Sequence, residues 1–79
     1  MINETKLIEA MQEGIVLLTY MCLVTNVEKQ REVTIAKKFT NNFELPRIIV
    51  DNKVICYDVE FRKWHDIKIG TIIKWKKLT

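Results

Sequence analysis

Apolar residues near the start of the chain recur at the spacing of an α-helix, with charged and amide residues mainly on the opposite side. The apolar side consists of Leu7, Ile8, Ala10 and Met11. Asn3 is a suitable N-cap, and Gly14 is a suitable stop. The pattern therefore predicts an amphipathic helix over residues 4–13. Because three turns of helix are marginal alone, we expect packing to hold it in place.

After Gly14 the periodicity changes to that of β-strands. Ile15–Val24 is a dense apolar run of strand length, typical of a strand covered on both faces. Thr25–Gln30 is polar and is predicted to be a turn. Arg31–Lys38 then alternates, which predicts a second strand with Val33 and Ile35 on one face.

The rest of the chain alternates short apolar segments with turn residues. Asn41-Asn42 favours a turn within an irregular segment, Asp51-Asn52 a tight hairpin turn, and Gly70-Thr71 a short helical turn. Strands are predicted at Ile48–Val50, Lys53–Val59, Trp64–Ile69 and Ile72–Leu78. This order predicts a mainly β fold: one domain over residues 1–79, with a helix at about 4–13 and a small SH3-like or Sm-like five-stranded barrel at about 15–78.

The aromatic residues divide between strands and loops. Tyr20, Tyr57 and Trp75 alternate with apolar neighbours in strands and are predicted to lie in the core. The three phenylalanines lie in predicted loops, where we expect each to cover a barrel opening, with partner contact as the alternative: Phe39, Phe43 and Phe61.

The charge is distributed unevenly along a chain of 79 residues with a net charge of +3. Acidic residues outnumber the single lysine within residues 1–14, whereas from Lys53 onward basic residues outnumber acidic ones seven to three. A basic half joined to an acidic helix suits a polyanionic partner on one face.

The last two predicted strands carry lysines on their non-core faces. If those strands are neighbours, Lys68, Lys74 and Lys76 form a stripe beside Trp64, where cations attract phosphates and an indole can stack an unpaired base. The remaining candidate RNA-binding residues lie at the strand ends or on the second strand: Arg62, Lys63, Lys77, Arg31, Lys37 and Lys38. The alternative is that the lysines only solvate outward faces and Trp64 seals a barrel end.

The candidate catalytic residues are few. His65 and Asp66 are adjacent in a strand and point to opposite faces, so they cannot orient one another directly. Cys22 and Cys56 lie in apolar runs, which we expect to bury them as reduced thiols and to raise their pKa values. Phosphate-loop and metal-ligand motifs are missing from the sequence. We therefore predict a non-enzymatic protein that uses no metal and no cofactor.

Two segments of the chain carry a family resemblance: LIEAMQEGIVLLTY at residues 7–20 and ICYDVEFRKWHDIKIGTIIKW at residues 55–75. They resemble the WYL family, whose domain is an Sm-like, SH3-type barrel, and particularly its small phage-encoded members. The larger bacterial members regulate transcription or defence and sense ligands or nucleic acid through arginines. This chain has His65 and Thr71 at two such arginine positions, and Cys56-Tyr57-Asp58 where the family has Trp-Tyr-Leu.

The resemblance and the basic strands together predict a phage-type accessory protein that binds RNA and inhibits a host defence or toxin system. Its small size and unpaired strand edges suggest a homodimer. The alternative is a module that docks on a host enzyme through the apolar side of the helix with Phe39 and Phe43. Because the Ile15–Val24 run is too short to span a bilayer, we expect a soluble protein without a membrane partner. Reduced cysteines predict a cytoplasmic location, and the resemblance to phage proteins implies the host cytoplasm.

Overall fold

The helix forms where the sequence predicts it. A computed structural model describes residues 3–79, and in it α1 spans Glu4–Glu13. The Asn3 side chain accepts a hydrogen bond from the Lys6 amide at 3.1 Å, and the Gly14 amide donates to the Ala10 carbonyl at 3.0 Å. The helix is thus capped at both ends. No helix within residues 3–79 is long and apolar enough to cross a membrane.

Six antiparallel strands form one curled sheet that makes a half-barrel. They are β1 (Val16–Cys22), β2 (Val27–Thr34), β3 (Ile49–Val50), β4 (Lys53–Asp58), β5 (Lys63–Lys68) and β6 (Ile72–Lys77). The order across the sheet is β3-β4-β2-β1-β6, and β5 also pairs with β4. A 3₁₀ turn at Ile69–Thr71 joins β5 to β6. The predicted fold class, mainly β and barrel-like with an N-terminal helix, is confirmed.

The turn between β1 and β2 lies earlier than predicted. The chain reverses over residues 23–26, where Asn26 adopts a φ of 57° and its amide donates to the Cys22 carbonyl at 2.7 Å. Cys22 then pairs with Val27, so β2 begins four residues before Arg31. The prediction of a turn at 25–30 was wrong because the first half of β2 is largely exposed, and its polar composition resembles that of a loop.

Two other turns agree with the prediction. Asp51 and Asn52 both adopt positive φ values, 52° and 60°, as a two-residue type I′ hairpin turn requires. Asn41 and Asn42 are likewise left-handed, at 59° and 62°. Asparagine and aspartate tolerate this conformation better than most residues.

The core lies on the concave side of the sheet and is covered by α1. It consists of Leu7, Ala10, Met11, Val16, Leu18, Val33, Val54, Cys56, Ile67 and Ile72. Tyr20 and Trp75 pack against this core, as predicted. Tyr57 does not, because β4 turns Val54, Cys56 and Asp58 inward and Tyr57 therefore points to the outer side.

A buried hydroxyl ties the helix to the sheet. The Thr34 Oγ1 lies 3.0 Å from the Met11 carbonyl oxygen and 2.6 Å from that of Gly14, and it accepts from the Ala36 amide at 3.0 Å. The Ile35 amide also donates to the Met11 carbonyl. These bonds satisfy carbonyls at the C-terminal end of α1 that have no partner within the helix.

Candidate nucleic-acid interface

The two strands that carry most of the predicted RNA-binding lysines are not neighbours. β6 pairs with β1, and β5 pairs with β4, so that β2 and β1 lie between β4 and β6 in the sheet. The assumption of adjacent strands is therefore wrong. The reason is that the 3₁₀ turn at Ile69–Thr71 carries the chain to the opposite edge of the sheet and does not form a hairpin.

The lysines of β6 lie in a mixed-charge environment. Lys74 is in register with Thr19 of β1, and Lys76 with Leu17. Leu17 is in turn paired with Glu32 of β2. Because directly paired residues share a face, Lys76 and Glu32 lie on the same side of the sheet. Lys77 forms an ion pair with Glu13 of the helix at 2.8 Å.

Trp64 and Lys68 share a different surface, the outer face of the β4–β5 hairpin. Its cross-strand pairs are Tyr57 with Trp64, Ile55 with Asp66, and Lys53 with Lys68. We call these six residues the outer patch. It has two aromatic rings at one end and two ammonium groups at the other. Trp64 and Lys68 are four residues apart in β5, which corresponds to roughly 13 Å along the strand.

The aromatic end of the outer patch is formed by rings in mutual contact and is still accessible. The Trp64 ring lies edge-on to Tyr57 with centroids 5.3 Å apart, and Phe43 approaches it from the irregular loop at 5.5 Å. Such tilted contacts are the preferred geometry of aromatic pairs. Trp64 remains 38% exposed and Phe43 52% exposed. Phe43 thus packs against Trp64 on the outer side of the sheet.

The cationic end of the outer patch combines one paired and one unpaired lysine. Lys53 contacts Asp66 at 3.6 Å, whereas Lys68 has no ion-pair partner within residues 3–79. Two like charges placed opposite each other across strands are unfavourable unless an anion lies between or above them. The Asp66 carboxylate relieves part of this repulsion, and a bound phosphate would relieve the rest.

The turn that precedes β5 carries two more of the predicted cations. Arg62 is exposed and adopts a φ of 56°, and Lys63 is exposed at the start of the strand. Asp58 anchors this turn, because its Oδ1 accepts hydrogen bonds from the amides of Glu60 and Phe61, both at 3.0 Å. The backbone of the turn is therefore anchored next to Trp64, while the pairing of Lys63 with Asp58 places the Lys63 side chain on the face opposite to Trp64.

Arg31 forms an ion pair with Asp58, the residue that anchors the turn, and is therefore not a free cation. Asp58 is fully buried, and its Oδ2 lies 2.8 Å from His65 Nε2 and 3.8 Å from Arg31 Nε. The Arg31 guanidinium also lies over the Phe61 ring at 4.9 Å. Burial alone would raise the Asp58 pKa, but hydrogen bonds from Phe61, His65 and Glu60 outweigh burial and hold that pKa below its usual value. Asp58 is thus a carboxylate, and His65 donates to it.

Two other predicted cations lie near the irregular loop. Lys37 contacts Glu44 at 3.7 Å, and the Lys38 ammonium lies 5.2 Å from the Phe39 ring centroid. Both are exposed, but their local partners compensate part of their charge. The structure therefore separates the ten predicted residues into the outer patch with its turn, the β6 edge, the Arg31 anchor and this loop.

The two cysteines differ in the pKa values of their thiols. Burial raises the pKa of the Cys56 thiol to about 12, as expected. Cys22 is different: hydrogen bonds from the Thr25 hydroxyl and the Thr25 and Val24 amides lower its pKa to about 7. The expectation of a raised pKa was wrong for Cys22, which lies half-exposed at the end of β1. Both cysteines are free thiols.

Sequence reasoning missed two members of this region. Tyr57 and Asp58 were not linked to Trp64, whereas Lys53 was predicted, together with Arg47, either to extend the basic patch or only to aid solubility. The signal that could have found them is the hairpin register, which follows from the two-residue turn and the strand lengths. Asp58 falls at an inward position of the alternating β4 sequence. This position could have indicated a buried carboxylate that needs hydrogen-bond partners.

Comparisons with protein-family models, curated proteins and solved structures find no significant match for this chain. The resemblance to the WYL family therefore remains a prediction from the two motifs.

Proposed function

We propose that this chain binds single-stranded nucleic acid, RNA in particular, through the outer patch and the neighbouring Arg62 of the turn that precedes β5. The observation that carries the proposal is the placement of exposed Trp64 on the same face as Lys53 and Lys68. Aromatic side chains stack unpaired bases, and lysines contact the phosphates between them. The wider hypothesis of a phage accessory protein that inhibits a host defence or toxin system rests on the family resemblance.

The geometry favours a single strand over a duplex. Trp64 lies on a sheet surface, flanked by Tyr57 and Phe43, and a base can stack on it only after leaving its own helix. Proteins that read RNA by sequence act mainly on unpaired bases, which they stack on aromatic side chains. The patch itself offers few groups that could read a base edge, which favours weak sequence preference.

The test is a titration of fluorescently labelled single-stranded RNA at several salt concentrations, followed by anisotropy. We expect the logarithm of the association constant to fall with the logarithm of salt concentration, with a slope near −0.7 for each phosphate contacted on a single strand. Single-stranded DNA and duplex RNA serve as comparison ligands. Failure to bind at low salt, or an affinity that salt does not change, contradicts the proposal.

The alternative of a protein-docking module loses its original basis. The apolar side of α1 is buried in the core through Leu7, Ala10 and Met11, and therefore does not form an exposed patch with Phe39 and Phe43. Exposed apolar residues occur instead at the β1–β2 hairpin, far along the strands from α1.

A further inference from the structure

The strand β5 has one free edge, because it pairs with β4 alone. A cavity of about 260 Å³ lies along this edge, between β5 and the end of β1. It is lined by consecutive residues of both segments, 65–68 of β5 and 20–23 at the end of β1. Since successive side chains point to opposite faces of a strand, a cavity that touches consecutive residues follows the edge of the strand. We call it the seam cavity.

Two backbone amides of β5 point toward this free edge. The Ile69 amide donates to the Asn52 carbonyl at 2.9 Å and therefore points toward β4. Backbone N–H groups alternate between the two edges of a strand, so the amides of Asp66 and Lys68 point away from β4. Neither amide donates to another protein atom within residues 3–79. Because both residues line the seam cavity, it has two free backbone donors at its edge.

The lysines of the outer patch add donors at the same edge. Lys53 and Lys68 are directly opposite each other across β4 and β5, and both line the seam cavity. Asp66 contacts Lys53 at 3.6 Å, whereas the Lys68 ammonium has no ion-pair partner in the described part of the chain. One acceptor at this edge is already used, because the Thr71 hydroxyl donates to the Lys68 carbonyl at 2.7 Å. Free donors therefore outnumber free acceptors.

This surplus of donors matches a phosphate better than it matches a peptide strand. The oxygens of a phosphate accept hydrogen bonds from amides and ammonium groups. An added β-strand presents amides and carbonyls alternately, and it needs as many acceptors as donors along the edge. The seam cavity also has an apolar wall, formed by Met21, Leu23 and Ile67, against which a sugar or a base can pack.

The charges around the seam cavity are nearly balanced. The ionisable residues that line it are Tyr20, Cys22, Lys53, His65, Asp66 and Lys68. The Cys22 thiol, with a pKa of about 7, is partly ionised at neutral pH. Outside the lining, Glu28 is in register with Met21, Lys29 follows Glu28, and Asp51 lies two residues before Lys53. Anion binding therefore depends on where the donors point and not on an excess of positive charge.

We propose that the seam cavity binds the terminal phosphate of a nucleotide, either at the end of an RNA strand or on a free mononucleotide. The donors are the Asp66 and Lys68 amides and the ammonium groups of Lys53 and Lys68. A terminal phosphate carries a charge of about −1.5 to −2 at pH 7 and three strong acceptor oxygens. A phosphate within a strand carries a single charge and uses two of its oxygens for the chain.

The volume of the seam cavity fits this ligand. At about 260 Å³ it lies just below the range of roughly 300–1,000 Å³ that is typical of small-ligand sites, so it has room for one nucleotide and not for a length of strand. The inference deepens the proposed function and rests on it for the RNA strand, because Lys53 and Lys68 also belong to the outer patch.

Anisotropy titrations of the full chain with one RNA sequence test the proposal, with a phosphate or a hydroxyl at the 5′ end and, separately, at the 3′ end. We expect the phosphorylated strand to bind about tenfold more tightly at one of the two ends. Leu23→Asp places a carboxylate in the cavity wall and should abolish this preference. Val24→Asp is the matched control, because it adds the same charge at a residue that is 94% exposed and outside the lining. A preference that survives Leu23→Asp overturns the assignment to this cavity.

Amide NMR spectra recorded with AMP, and with adenosine as the control, test the site without RNA. We expect AMP to shift the Asp66 and Lys68 amide signals and adenosine to leave them unchanged. Such shifts without a preference for phosphorylated strands identify a free mononucleotide as the ligand, and shifts with that preference identify a strand end. Equal affinity for the two kinds of strand together with unshifted amides overturns the inference and leaves the proposed function intact. Hydroxyl-ended RNA that does not bind contradicts the proposed function alone.

Discussion

Asp58 accepts a hydrogen bond from His65 Nε2 at 2.8 Å, and this pair lies beneath the hairpin that carries Trp64. The two residues are diagonal neighbours across β4 and β5, because Cys56 is the direct partner of His65. The Asp58 carboxylate joins the β4–β5 turn, His65 and Arg31 in one network with no access to solvent at its centre. The position of the outer patch therefore depends on a buried charge.

Replacement of Asp58 should destabilise the protein and loosen the turn. Asp58→Ala leaves the Glu60 and Phe61 amides and the His65 ring without their acceptor, and we expect a loss of about 3 kcal/mol in the free energy of unfolding. Asp58→Asn keeps one oxygen for the two amides and should lose about half as much. Urea unfolding measures both; equal losses would contradict separate roles for the two oxygens.

The Asp58 network should also make stability depend on pH. The pKa of Asp58 in the folded protein lies below the unfolded value of about 3.9, so its stabilisation is complete above that value and is lost as pH falls through the folded pKa. The difference in unfolding free energy between wild type and Asp58→Asn should therefore narrow below about pH 4. A difference that stays constant into this acid range would exclude the charged network.

Thr34 should be a sensitive position because its hydroxyl is fully buried between α1 and β2. Thr34→Val keeps the shape of the side chain but removes the hydroxyl partner of the Gly14 carbonyl and of the Ala36 amide, whereas the Met11 carbonyl keeps the Ile35 amide as its donor. We expect a loss of about 1–3 kcal/mol in unfolding free energy. Thr34→Ser keeps the hydroxyl and is the control, so an equally large loss for serine would point to packing as the cause.

The outer patch and the β6 edge should differ in their effect on RNA affinity. Trp64→Ala removes a stacking surface worth about 1–3 kcal/mol for each stacked base. The double variant Lys53→Ala with Lys68→Ala should weaken binding and reduce the salt slope by about 1.4, since two phosphate contacts are lost.

Lys74→Ala with Lys76→Ala is the matched control, because it removes the same net charge from a strand that pairs with neither β4 nor β5. We expect a much smaller change in affinity for this pair. Anisotropy titrations on all three variants make the comparison. Equal losses for the two lysine pairs would mean that only the net charge of the protein matters.

The two thiols should react with alkylating reagents at very different rates. With a pKa of about 7, Cys22 is largely thiolate at slightly alkaline pH, whereas Cys56 is buried and has a pKa of about 12. Iodoacetamide should therefore label Cys22 first, with a rate that rises through neutral pH. Thr25→Val removes the hydroxyl that contributes most to lowering the pKa, and should move this profile to higher pH. Peptide mass spectrometry identifies the labelled cysteine.

Features encoded by neighbouring residues could be predicted from the sequence, and features that join distant segments could not. The ends of α1 depend on Asn3 and Gly14, and the β3–β4 turn on Asp51-Asn52, so both were predictable. The pairing of β6 with β1 joins residues more than fifty positions apart, and no local pattern marks it. The β1–β2 turn was predicted two residues too late because Asn26 alone marks it.

The candidate site could likewise be predicted only in part from the sequence. Alternation within β5 places Trp64 and Lys68 on one face, as predicted. Whether Lys74 and Lys76 join them depends on strand order, which alternation does not determine. Arg31 was predicted to be a free cation because its acceptor, Asp58, lies in a strand that follows it by twenty-seven positions.

The sheet does not close into a full barrel, and β6 is one of its edge strands. This strand carries three lysines, Lys74, Lys76 and Lys77. A further strand could in principle align there and continue the ladder of amides and carbonyls. An incoming copy of β6 would bring the same positive charges and be repelled, which protects the chain from stacking into fibrils through this edge. A strand rich in carboxylates would meet no such barrier.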